Sequence, residues 1–118
     1  MKELQLLIDL HKNAHRQGPG GAIETIKALN LARIDRSAQL KIADIGCGTG
    51  ASTLLLAQHL NNAHITAVDF LPEFLEVLEN KAKNVGHSEK ITTLACSMDA
   101  LPFSDESLDV IWSEGAIY

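Results

Sequence analysis

Asp44-Ile45-Gly46-Cys47-Gly48-Thr49-Gly50 sets an acid two residues ahead of three glycines at alternating positions. Glycine lets backbone come within contact distance of a ligand, because no Cβ stands in the way. A turn that opens a helix also aims unpaired N–H groups at whatever binds there. The pattern suits a nucleotide-like cofactor held by main chain. Other residue types capable of chemistry offer less. His11 and His15 lie i,i+4, as in some zinc sites, but no third ligand is within sequence reach, so no metal is expected. Cys47 reads as a small packing residue of the loop, since nothing near it in sequence would activate a thiol, and Cys96 reads as core.

The elements around the loop must position it. Residues 40–45 read as a short buried strand, and residues 51–60 as a helix ending near Asn61-Asn62. A second strand over 64–68 ends at Asp69. Pro72 suits the first turn of a helix whose apolar face is Phe74, Leu78, Ala82 and Val85, and Gly86 is placed to end it. Glu73, Glu76 and Glu79 come early in that helix and Lys81 and Lys83 late, matching the helix dipole. Residues 91–95 and 108–112 give two more strands. Ahead of all this, Leu4, Leu7, Ile8 and His11 predict an amphipathic helix over 3–15. Gln17-Gly18-Pro19-Gly20-Gly21 should break it, and Ile23, Ile26 and Leu29 predict a second helix. Strands alternating with helices imply right-handed βαβ units and a parallel α/β sheet.

Length and composition narrow the classes. A chain of 118 residues fits one domain with a modest core. Its net charge of -5, with no basic run or stripe, argues against a nucleic-acid partner. Two cysteines make no disulfide framework, which favours a reducing compartment, and no signal peptide is visible, so the cytoplasm is expected. Apolar runs fall far short of the roughly 18 residues a membrane span needs, so no membrane partner is expected.

Two cofactors compete for the loop. Gly46-x-Gly48-x-x-Ala51 satisfies the loose dinucleotide fingerprint, with Asp69 then holding the ribose of NAD. Asp44 speaks against this, because an acid beside a pyrophosphate is repelled by it. The same acid is well placed beside a ligand carrying an ammonium group and a sulfonium. With these residues the chain resembles class I S-adenosylmethionine-dependent methyltransferases of the small methyltransferase-domain type. Residues 44–50 look like that family's first motif. Asp69 stands where the family has a ribose-binding acid. Asp99-Ala100-Leu101-Pro102-Phe103 looks like the segment that faces adenine, and Leu108-Asp109-Val110-Ile111-Trp112 looks like the fourth strand.

The resemblance implies S-adenosyl-L-methionine as cofactor and assigns roles. Gly46, Cys47, Gly48 and Gly50 would pack against its methionyl part, and Asp44 would face its ammonium group. Asp69 would accept from both ribose hydroxyls, and Phe70 would add apolar surface. Asp99 would accept from the adenine amino group while the Ala100 N–H donates to a ring nitrogen. Plainer roles stay open: Asp44 as a cap of backbone N–H groups in a tight turn, Asp69 as a cap of the Pro72 helix, Asp99 as an exposed turn residue.

The resemblance also implies a Rossmann-like sheet, here four strands in order 3-2-1-4 out of about seven in the family. The chain then divides into an N-terminal helical cap and flap, 1–36, and an incomplete Rossmann-like domain, 37–118. In the flap, Arg16 or Gln17 would reach the methionyl carboxylate. Glu114, after the fourth strand, is the candidate base. The acceptor is expected to be a small molecule. The fourth strand is expected to end as a bare edge inviting self-association, with the chain the cofactor-binding part of a longer enzyme. A non-catalytic S-adenosylmethionine-binding module is the second class of function, and a fragment of an NAD-linked oxidoreductase the third.

Overall fold

The computed structural model describes residues 6–9, 19–31, 33–97 and 108–113. In chain order these form strand β1 (Leu6–Asp9), helix α1 (Pro19–Leu31), strand β2 (Gln39–Ile45), helix α2 (Ala51–His59), strand β3 (Asn62–Asp69), helix α3 (Pro72–Asn84), a single 3-10 turn (Ser88–Lys90), strand β4 (Ile91–Ala95) and strand β5 (Val110–Ser113). All pairings are parallel, and the sheet order is β1-β5-β2-β3-β4. The four strands expected from sequence are present in the expected order. The order reverses at β2, whose neighbours β3 and β5 lie on opposite sides of it. A crevice outside the carboxyl ends of strands at such a switch point is where open α/β sheets bind ligands.

One face of the sheet carries the helices of the described residues. Alternate residues of a strand share a face. Ile42, Ala63, Ile65, Val110 and Trp112 pack with Leu29 of α1 and with Leu56, Ala57 and Leu60 of α2 and its end. Ala67, in phase with Ile65, packs with Leu75 and Leu78 of α3. Ala43, Ile45 and Val68 point the other way and cluster with Leu108. Trp112 is fully buried and is the bulkiest side chain of the core.

Local chemistry explains the helix ends. Pro72 opens α3 with Glu73 in its first turn and Lys81 and Lys83 in its last, and Gly86 ends it at a left-handed φ of 78°. Helix α2 has Gly50 at its N-cap, a residue with no side chain with which to cap it. Its other end is closed from a distance: Lys90 Nζ donates to the Ala57 carbonyl at 2.9 Å and to the Leu60 carbonyl at 3.1 Å. A cation on the last carbonyls of a helix satisfies orphan acceptors and complements the dipole.

Three expectations are corrected. The helix predicted over 3–15 is, at Leu6–Asp9, a strand paired in register with residues 110–113. The edge expected to be bare on the last strand is therefore occupied within the chain, and β5 lies between β1 and β2. Second, Pro19, Gly20 and Gly21 do not form the interhelical loop but open α1. Proline's fixed φ is preorganised for a first helical turn, so the dipeptides that signal a break here signal a start. Third, α3 buries Leu75, Leu78 and Ala82, whereas Phe74 and Val85 are exposed. The sequence pattern admits both stripes, and the structure selects the one that includes Leu75.

Candidate cofactor site

β2 delivers Asp44 and Ile45 to the switch point, and the chain then turns through residues 46–50 into α2. Gly46, Gly48 and Gly50 take left-handed φ values of 69°, 60° and 94°. Residues with a Cβ adopt that region at a cost of about 1–2 kcal/mol, which accounts for the alternation of glycine in the sequence. Gly50 has a second reason: a Cβ added there would overlap Cδ1 of Leu78 on α3. Gly48 is the opposite case, since a Cβ there would meet no atom of the described residues within 4 Å. The face of the loop at Gly48 is open space.

The loop is fastened to the end of β3. The Gly46 and Cys47 N–H groups both donate to the Val68 carbonyl, at 2.8 and 3.0 Å, and the Gly48 N–H donates to Asp69 Oδ2 at 2.9 Å. Oδ1 of the same carboxylate accepts from the Leu71 N–H at 3.0 Å. Phe70, between them, is exposed, consistent with apolar surface at the mouth of a site.

Asp44 is buried on the helix-bearing face. Its Oδ2 accepts from the Ser52 hydroxyl at 2.8 Å and from the Thr53 hydroxyl at 2.6 Å. It thus clasps the end of β2 to the first turn of α2, where a negative charge is favoured by the helix dipole. Ser52 and Thr53 were not singled out from sequence. Two hydroxyl residues opening an otherwise apolar helix were the available signal.

Cys47 sits between these acids. Burial, and after it the Asp44 and Asp69 carboxylates, push its thiol far above the ordinary thiol range. A thiol held protonated is neither nucleophile nor metal ligand. Alkylation with iodoacetamide at neutral pH should therefore modify the partly exposed Cys96 first and leave Cys47 largely unreacted in the folded chain. Peptide mapping checks this, and faster labelling of Cys47 would contradict the environment described.

The structure brings Asp44, Gly46, Cys47, Gly48, Gly50, Asp69 and Phe70 together at one sheet end. Gln17, Asp99, Ala100 and Glu114 lie outside the described residues, as do His11 and His15. Among the described residues no cluster of three or more His, Cys, Asp or Glu side chains could hold a metal ion.

The model of the Methyltransferase domain family matches residues 42–118, which takes in the loop, Asp69 and every strand from the end of β2 onward. The chain belongs to that family. A malonyl-[acyl-carrier protein] O-methyltransferase from Herminiimonas arsenicoxydans is 35% identical over 72 residues, covering 61% of this chain and 25% of that enzyme. The chain therefore spans about a quarter of the length of that curated relative. Among solved structures, coclaurine N-methyltransferase bound to N-methylheliamine and S-adenosylhomocysteine superposes with a TM-score of 0.70 at 22% identity, over 86% of this chain and 29% of that one. Geranyl diphosphate methyltransferase in complex with GPP and sinefungin gives a TM-score of 0.70 at 18% identity, over 78% of this chain and 34% of that one. At these identities the structural likeness speaks for the Rossmann-like methyltransferase fold.

Proposed function

We propose that this chain is the cofactor-binding part of an S-adenosylmethionine-dependent methyltransferase. The observation that carries it is the open face of Gly48, set between Asp44 and Asp69 at the switch point of the sheet. A loop flanked by two carboxylates favours a ligand bearing positive charge and disfavours a pyrophosphate. S-adenosylmethionine carries an ammonium group and a sulfonium, whereas NAD carries two linked phosphates. The ligands named for the coclaurine and geranyl diphosphate enzymes point the same way.

The bound cofactor would supply a methyl group already activated by sulfonium, so the protein's work is alignment and exclusion of water. Main chain at 46–50 packs against the methionyl part, and the negative potential of Asp44 favours its ammonium group. Asp69 uses its remaining lone pairs for the ribose hydroxyls. Asp99 and the Ala100 N–H would read the adenine, Phe70 would add an apolar wall, and Gln17 would reach the methionyl carboxylate. Glu114, just past β5, is the candidate base, needed only if the acceptor must lose a proton early. A small-molecule acceptor fits the negative net charge and the lack of a basic stripe. Two free thiols fit a reducing compartment such as the cytoplasm.

Isothermal titration with S-adenosylhomocysteine and with NAD tests the reading. Saturable binding of the first, with NAD weaker or absent, is the expected result. Tighter binding of NAD would overturn it.

A further inference from the structure

We propose that Asp69 is a positioning residue as well as a ligand contact: its carboxylate holds the glycine loop in shape before any cofactor arrives. Three N–H groups tie the loop to the end of β3. Two of them, from Gly46 and Cys47, go to the Val68 carbonyl, which no substitution removes. The third, from Gly48, goes to a side chain, Asp69 Oδ2. A Cβ at Gly48 would meet no described atom within 4 Å, so this tie borders space that a ligand could enter.

The same carboxylate is anchored from behind. Oδ1 accepts from the Leu71 N–H, and the Asp69 main-chain carbonyl accepts from the Cys96 N–H at 3.1 Å. Asp69 therefore joins the loop, the end of β3, the entry to α3 and the residue after β4. A carboxylate offers about four acceptor sites on two oxygens. One N–H on each oxygen leaves room for two further donors, so a ligand can be gripped without releasing the loop. Hydrogen bonds to an ionised acceptor are stronger than neutral ones, which makes the charge part of the latch.

What the loop receives rests on the function proposed above, whereas the latch is a property of the ligand-free chain and is tested there. Amide hydrogen exchange is followed by NMR in the wild type, Asp69→Asn and Asp69→Ala, all without ligand. Exchange at Gly48 and Leu71 should quicken at least about tenfold in Asp69→Ala, the usual scale for a lost charge-assisted hydrogen bond. Gly46 and Cys47, held by Val68, should change less. Asp69→Asn keeps one acceptor oxygen and the side-chain volume, so it should fall between and remain folded if the alanine variant does not. Equal exchange at Gly48 and Leu71 in the wild type and Asp69→Asn, with the fold intact, would overturn the latch.

Binding separates the two roles. A residue acting through ribose hydroxyls alone loses nothing toward the 2′,3′-dideoxy form of S-adenosylhomocysteine when it is removed. The latch predicts that Asp69→Ala weakens that probe as well, and undiminished affinity would count against it. A wild-type chain that binds neither probe defeats the proposed function, and the exchange experiment still decides the latch.

Discussion

Gly48→Val is expected to abolish binding of S-adenosylhomocysteine while leaving the sheet and its helices in place. Among the described residues, no atom lies within 4 Å of a Cβ placed at this position. The valine therefore meets the ligand rather than the protein. The fold carries only the strain of a β-branched residue at a φ of 60°, about 1–2 kcal/mol, a minority of the 5–15 kcal/mol typical of a domain. Titration calorimetry alongside far-ultraviolet circular dichroism separates the two effects. A folded variant that binds as the wild type does would show that the space above Gly48 is not the ligand's.

Gly50→Ala, two residues on, should do the reverse and strike stability. Its φ of 94° is left-handed, and the new methyl group would overlap the buried Leu78 side chain. Backbone strain of about 1–2 kcal/mol adds to an overpacking cost of about 1–3 kcal/mol, for a loss of roughly 2–5 kcal/mol in all. Urea denaturation measures it. Trimming the obstacle with Leu78→Ala should make the two substitutions strongly non-additive, because they share one contact. An unchanged midpoint in Gly50→Ala would mean that α3 yields to the methyl group at no cost. The two glycines thus belong to one sequence motif for different physical reasons, one facing open space and one facing a neighbouring helix.

Most of the sheet was legible because βαβ units announce themselves. Short apolar runs alternating with helical spacing, with Pro72 and Gly86 at the ends of one helix, marked β2, β3, β4 and β5 as parallel strands, and the resemblance to class I methyltransferases supplied their order. β1 was not legible, for a definite reason. Leu6-Leu7-Ile8 is a short apolar run, and with Leu4 and His11 it fits helical spacing equally well. The choice is made by a distant partner: β5 needs hydrogen bonds on its outer side, and Leu6–Asp9 supplies them. The face of α3 was ambiguous in the same way. Leu78 and Ala82 serve either stripe, and sheet packing decides between Phe74 and Leu75.

At the site, the glycines and Asp69 were readable from type and spacing, because a left-handed turn and an acid at a strand's end leave marks in sequence. The duties of the two acids in the free protein were not. Asp44 is taken up by the Ser52 and Thr53 hydroxyls, a contact that exists only because α2 folds back over the end of β2. Asp69 spends an oxygen on the loop it faces, a contact across 21 residues of sequence. Both follow from how the turn closes in three dimensions, which residue type alone does not state.

The central claim is that the glycine loop and the end of β3 together form the seat of the cofactor. It is tested most directly by titrating the isotope-labelled chain with S-adenosylhomocysteine and following its amide resonances. Saturable shifts should concentrate at residues 46–50 and 69–71 and fade along α1 and the far ends of the strands. Saturable binding with those two segments unmoved would place the ligand elsewhere and contradict the claim.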